Sequence, residues 1–164
     1  GITGTEEIET EYFGLGSAFL SSGVNCVLST LWPIEDVIAW IVVKEFYRQL
    51  VEEKQQPAAA WKLAVEWLRG MKVEELQEIK QQLEEEKEHL SQELSRQDQK
   101  RRKARKRGDE ELKTKVEMES EELRNQLDPL ETMIQQIDKF NNNQNPFANP
   151  IHWASLICQG GGAN

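Results

Sequence analysis

Residues 11–36 read EYFGLGSAFLSSGVNCVLSTLWPIED, and the order of their elements decides the fold. Tyr12, Leu15, Phe19 and Leu20 recur at helical spacing, and Gly23 follows as a stop signal. Val24–Leu31 is aliphatic and β-branched with no alternation toward a polar face, which reads as a parallel-sheet strand buried on both sides. Pro33 cannot continue a central strand, so the strand ends by Trp32. Glu35 or Asp36 then opens a helix, where a carboxylate suits the exposed N–H groups and the positive end of the dipole.

Working outward, that helix runs to about Glu53. It is apolar almost all round at first (Val37, Ile38, Ile41, Val42) and amphipathic later (Phe46, Leu50). Pro57 suits the first turn of another helix, with Trp61, Ala64, Val65 and Leu68 on one side and Gly70 closing it. In an open α/β sheet, ligands bind just beyond the carboxyl ends of the strands. Ser29–Asp36 falls there, although strand end plus helix cap explains the same residues without any ligand.

Composition divides the 164 residues into three parts. Residues 1–70 hold nine of the twelve aromatics and 15 charged residues, whereas 71–139 hold no aromatic and 34 charged residues. The middle part has too little apolar surface to offset its chain entropy, so the first and last parts must supply the globular core. Within the middle, Leu76, Ile79, Leu83, Leu90 and Leu94 trace one sparse heptad-like stripe, and Val116, Leu123, Leu127, Leu130, Ile134 and Ile137 trace another. Between them lies the basic run KRRKARKR, Lys100–Arg107, followed by Gly108-Asp109. The pattern predicts an antiparallel helical hairpin with a basic tip, weakened where Glu86 and Gln97 take apolar positions and kinked or restarted at Pro129. Asn141–Pro150 is a loop by composition, and Trp153–Cys158 returns as an apolar strand expected to pair with 24–31. The other edge of that sheet is expected to stay open.

The formal charge of −9 discourages nonspecific attachment to nucleic acid or an acidic membrane. The basic tip is read first as a solvated turn among acids, since residues 71–139 carry 15 basic and 19 acidic residues for a net −4. Its sharper reading is a docking point for an acidic protein surface or nucleic acid. No aromatic is interleaved for base stacking, which argues against sequence-specific nucleic-acid recognition. The longest apolar run, Val37–Val43, is far short of the ~20 residues that span a bilayer. Cys26 and Cys158 sit in apolar runs and read as buried thiols of a reducing, cytoplasmic compartment rather than as a disulfide framework. No signal peptide opens the sequence, and a start at Gly1 rather than Met reads as a piece of something longer.

Several separated motifs, in order, resemble the C-terminal half of a CHAT domain, the caspase-like peptidase domain often found beside TPR repeats in bacteria. The pattern GL-x-x-AFL is similar to Gly14-Leu15 with Ala18-Phe19-Leu20, and the strand pattern ending SLW to Gly23-Val24, Val27-Leu28 and Ser29–Trp32, with Asp36 entering the helix. Glu45-Phe46-Tyr47, Ala58–Leu68 and Pro150–Ala154 resemble three later motifs of the same family. The resemblance implies a caspase-like three-layer α/β/α sandwich, present in part. It is divided as residues 1–70, a charged hairpin insertion at 71–139, and a loop with the closing strand at 140–164.

It also implies cysteine peptidase chemistry by a His/Cys dyad, on protein or peptide substrates, with no metal and no cofactor. The nucleophile motif S-A-C-E-T-G and the base motif H-G are both absent here, and Gly1 resembles the residue just after C-E-T. His152 and Cys158 lie six residues apart on one expected strand, ~20 Å at ~3.3 Å per residue, which is beyond hydrogen-bond reach. His89 sits on a charged helix and reads as solvated. No catalytic residue is therefore assigned, and the chain by itself is expected to be inactive until its missing N-terminal half is supplied. By likeness to the related separases, Trp32 is assigned as a substrate-pocket wall and Asp36 as an acidic contact, implying cleavage after a basic residue by the complete domain. The alternative is a noncatalytic interaction module on the same scaffold with a coiled-coil arm.

Overall fold

The computed structural model of the chain describes residues 16–160. Residues 16–21 are helical (α1), and Gly23 at φ +95° leaves that helix through a conformation that a side chain would strain. Tyr12 and Leu15, also read as part of this helix, lie outside the described residues. The chain continues as β1 (Cys26–Thr30), α2 (Asp36–Val51), α3 (Pro57–Gly70), α4 (Val73–Arg107), α5 (Glu110–Asp138), a 3-10 turn at Pro150–His152 and β2 (Leu156–Gly160).

The expected three-layer α/β/α sandwich is not what forms. The described residues are mostly helical, and their only sheet is two antiparallel strands, with Cys26 opposite Gly160 and Thr30 opposite Leu156. The closing strand does pair with β1, but in the opposite sense to a parallel layer. The misreading has a physical cause. A short apolar run is consistent with several kinds of buried strand, and periodicity alone cannot say which partner it takes. Every residue of β1 is half-buried rather than covered on both faces.

The described residues divide into two compact units, one of 16–72 with 143–160 and one of 73–142. In the first, α2 and α3 bury one shared apolar face. Val37, Ile38, Ile41, Val42 and Phe46 of α2 are withdrawn from water, as are Ala60, Trp61, Ala64 and Leu68 of α3. Phe46 meets Trp61 edge to face at 5.8 Å, the arrangement that brings ring edge to π-face. Pro57 occupies the first turn of α3, where its missing N–H costs nothing. Phe147 is fully buried, and the Arg69 guanidinium lies 4.3 Å above the Trp153 ring.

In the second unit, α4 and α5 form a helical hairpin around Gly108 (φ +69°) and Asp109. The Asp109 carboxylate accepts the Leu112 backbone N–H at 2.9 Å and so caps α5. The register is written in side-chain pairs. Lys80 meets Asp138 at 2.6 Å, Lys87 meets Glu131 at 3.0 Å, and Gln77 donates to Asn141. Each pair is equidistant from Asp109, which fixes an antiparallel alignment. The buried positions of α4 are Leu76, Leu83, Gln97 and Ala104, with Leu90 half-buried, so one side chain enters the seam every seven residues. Glu86, which the pattern placed on the seam, is exposed. Pro129 neither restarts nor ends α5, which is one helix from Glu110 to Asp138.

Candidate functional site

Trp32 stands just past the carboxyl end of β1. Its indole Nε1 donates to the Ile151 carbonyl at 3.0 Å, which ties the β1–α2 connection to the turn before β2. Leu31 N–H donates to the Ser155 carbonyl at 3.0 Å and extends the same tie by one residue. The indole is thus held by its polar edge while the ring stays 38% exposed, beside exposed Leu31 and Ile151. An amphipathic ring anchored in this way offers an apolar wall to whatever lies against it.

Asp36 is the first residue of α2, with Glu35 at the N-cap. The cap makes no side-chain hydrogen bond to the helix, and the Glu35 carbonyl accepts from Ile38 N at 3.0 Å and Ala39 N at 3.2 Å. Asp36 is exposed while the next two residues, Val37 and Ile38, are fully buried. Its carboxylate is therefore held at the surface by the burial of its neighbours and favoured there by the helix dipole. Trp32 in the β1–α2 connection and Asp36 at the start of α2 lie four residues apart in sequence, an exposed ring and an exposed carboxylate. The strand-end rule for parallel sheets does not apply to this antiparallel pair, so the position alone does not mark a ligand crevice.

The residues weighed as a dyad are not brought together. His152 lies in the 3-10 turn rather than on β2, and its ring packs edge to face on Phe147 at 5.9 Å. The ~20 Å strand spacing therefore does not describe this pair. Cys158 faces Cys26, with sulfurs 3.1 Å apart, and both thiols are free and half-buried rather than buried. Burial, followed by the contact with Cys26, pushes the Cys158 thiol up to about 12. A nucleophilic cysteine needs the opposite shift. His89 is exposed. Among the described residues, no three His, Cys, Asp or Glu side chains gather as they do around a metal ion.

Sequence reasoning missed two groups, one at this connection and one at the far end of the strand pair. Ile151 supplies the carbonyl that fixes Trp32, and a backbone acceptor across 119 residues leaves no trace in side-chain pattern. Gln159 is the second. Its amide lies so close to Gly16 that no larger residue fits there without displacement, and only the glycine hints at that approach.

The CHAT domain family matches the chain over residues 2–161. The chain belongs to the CHAT domain family. The match runs through the hairpin as well as the α2–α3 unit, so α4 and α5 lie within the CHAT domain as the family spans it. No curated protein and no solved structure matches the chain. Among the described residues of this CHAT domain, no helix is long and apolar enough to cross a membrane.

Proposed function

We propose that this CHAT domain is the C-terminal, pocket-bearing part of a caspase-like cysteine endopeptidase, and that it cleaves after a basic residue when complete. Family membership supports the peptidase class, because CHAT domains are caspase-like. The observation that supports the site is an indole fixed by Ile151, four residues before an exposed carboxylate. In this reading Trp32 packs on the aliphatic stem of an Arg or Lys, and Asp36 pairs with its charged head.

The chain's own cysteines and histidines do not form the dyad, so the nucleophile and base come from sequence outside these residues. There the histidine takes the thiol proton and the thiolate attacks the scissile carbonyl; the C–N bond breaks as the amine leaves with that proton, and water hydrolyses the thioester to the acid and the free thiol. The partners are a protein or peptide substrate and the N-terminal half of the domain, with TPR repeats as its natural neighbour. The setting is the cytoplasm, which two free facing thiols suit. The length of the hairpin favours a second reading, a noncatalytic interaction module whose working surface is α4 and α5.

The test is hydrolysis of fluorogenic peptides by the longest natural chain that carries these residues. Arg- or Lys-terminated peptides should be cleaved. Asp36→Asn should lower kcat/KM on them by about 10–150-fold, the range of a charge-assisted pair of about 1.5–3 kcal/mol. Equal cleavage after Ala, Asp and Arg would overturn the assignment of specificity. No cleavage of any peptide would favour the interaction module.

A further inference from the structure

The hairpin divides its charge sharply along its length. Residues 100–115 hold nine basic and three acidic side chains, a net +6. The rest of the middle part, 71–99 with 116–139, holds six basic and sixteen acidic, a net −10. An end of one sign on a stem of the other is a local field, which the net −4 of the whole segment conceals.

The basic end is built rather than frayed. Ala104, inside KRRKARKR, is fully buried and continues the seven-residue spacing of Leu76, Leu83, Leu90 and Gln97. The seam therefore reaches the tip and holds the arginines around Ala104 on its outer sides. Arg101, Arg102 and Arg105 of α4 line one cavity of about 430 Å³ with Lys113 and Glu117 of α5.

The register explains why cations gather there. Positions equidistant from Asp109 carry opposite charges in the stem, Lys80 with Asp138 and Lys87 with Glu131. At the tip the same relation sets Arg105 against Lys113, two cations, while Arg101 falls against Glu117. The local acids only partly compensate. Asp98 lies 3.6 Å from Arg101 and Glu110 lies 3.0 Å from Lys113, and among the described residues Arg102 and Arg105 make no ion pair.

We propose that this cavity is a docking site for an acidic protein segment, read by Arg101, Arg102, Arg105 and Lys113. Guanidinium forks match carboxylates in pairs, and a cavity of this size admits a few acidic side chains rather than a folded surface. Two features favour a peptide over nucleic acid. The −10 stem repels a long polyanion lying along the hairpin, and residues 71–139 hold no aromatic on which a base can stack. Glu117 on the wall sets a limit of its own, since it opposes an anion placed against it.

The test is fluorescence anisotropy of the full chain with a labelled twelve-residue Asp/Glu-rich peptide. Its Asn/Gln counterpart and a labelled twenty-nucleotide RNA serve as competing probes. The acidic peptide should bind, and its Kd should rise at least tenfold between 50 and 300 mM salt. Arg101→Ser with Arg105→Ser should weaken binding at least tenfold, whereas Lys87→Ser in the stem should leave it unchanged. Glu117→Gln should tighten binding about threefold, a gain that a purely structural role does not produce. Circular dichroism checks that each variant keeps its helix. Tighter binding of the RNA than of the acidic peptide at equal salt overturns the proposal, as does equal binding of the Asn/Gln peptide or an unaffected arginine double variant.

Discussion

Cys26 and Cys158, 132 residues apart in sequence, hold their sulfurs 3.1 Å apart on one face of the β1–β2 pair. Strand register places them diagonally. Cys26 lies opposite Gly160 and Cys158 opposite Leu28, so both side chains leave the sheet on the same side. The contact joins the beginning and end of the described chain without a covalent bond.

Reactivity follows from this contact. The thiolate is the form that alkylates, and Cys158 is pushed up to about 12 by burial and by Cys26. Folding keeps the proton on this thiol. The linked stability is therefore complete below the ordinary thiol range of about 8.5 and is lost as pH rises toward 12. At pH 8 the thiolate is about two-thousandfold scarcer than for an ordinary thiol, and the greater nucleophilicity of a more basic thiolate recovers roughly fortyfold. Alkylation of Cys158 by iodoacetamide should be on the order of 50-fold slower in the native protein than in urea, read by peptide mass spectrometry. Equal rates in the two states would show that the thiol is not held as described.

A second titration belongs to Glu45. Its carboxylate is buried in α2 and accepts from Arg48 Nε at 2.8 Å, Arg48 Nη2 at 2.7 Å and Gln49 Nε2 at 2.7 Å. The Arg48 hydrogen bonds hold it below the usual carboxylate range, against the opposing effect of burial. A depressed folded value means stability that is present above about pH 4.5 and lost as pH falls below it. Arg48 is 42% exposed, so solvent screens much of the pair's contribution. Glu45→Gln should lower Tm at pH 7 by a few degrees, with the gap to the parent chain closing toward pH 3 in a thermal melt series. A gap independent of pH would remove the Arg48 pair as its cause.

What could be read in the sequence tracks how local each signal is. The starts of α2 and α3 were legible because Pro33 and Pro57 restrict the backbone by themselves and Asp36 suits the positive end of a helix. The pairing of the closing strand with β1 was legible because both runs are apolar, but its direction was not, since direction depends on how the chain returns. The three-layer α/β/α sandwich that the family resemblance implies is not met, because the described residues supply only one antiparallel pair of strands. Trp32 and Asp36 were visible as residues, but the Ile151 carbonyl that fixes the indole was not. Ala104 went unread because seven surrounding cations hide a small residue, although counting seven from Gln97 lands on it. Pro129 marks a kink or a restart by its chemistry, and α5 does not restart there, since buried side chains on either side carry the helix through the proline.

That last correction gives a prediction with a sign. Pro129 cannot donate to the Asn125 carbonyl, and its ring crowds the preceding turn, at a cost of ~3 kcal/mol in an unsupported helix. Leu127 and Leu130 are buried on either side of it, and Met133 and Ile137 follow on the same seam, so packing holds the helix together through the missing bond. Pro129→Ala restores one hydrogen bond but also frees the unfolded chain, which returns about 0.4–1 kcal/mol. Because packing already supports this turn, the variant recovers only part of the ~3 kcal/mol and should stabilise α4–α5 by about 1–2 kcal/mol. Native-state hydrogen exchange of amides in 110–138 reads this directly, since the slowest of them should exchange roughly 5–30-fold more slowly. Leu127→Ala and Leu130→Ala should shift the same amides the other way by 2 kcal/mol or more, because each opens a cavity in the seam. If Pro129→Ala instead speeds exchange, the proline fits the helix better than an alanine does, and α5 is shaped by its ring rather than held in spite of it.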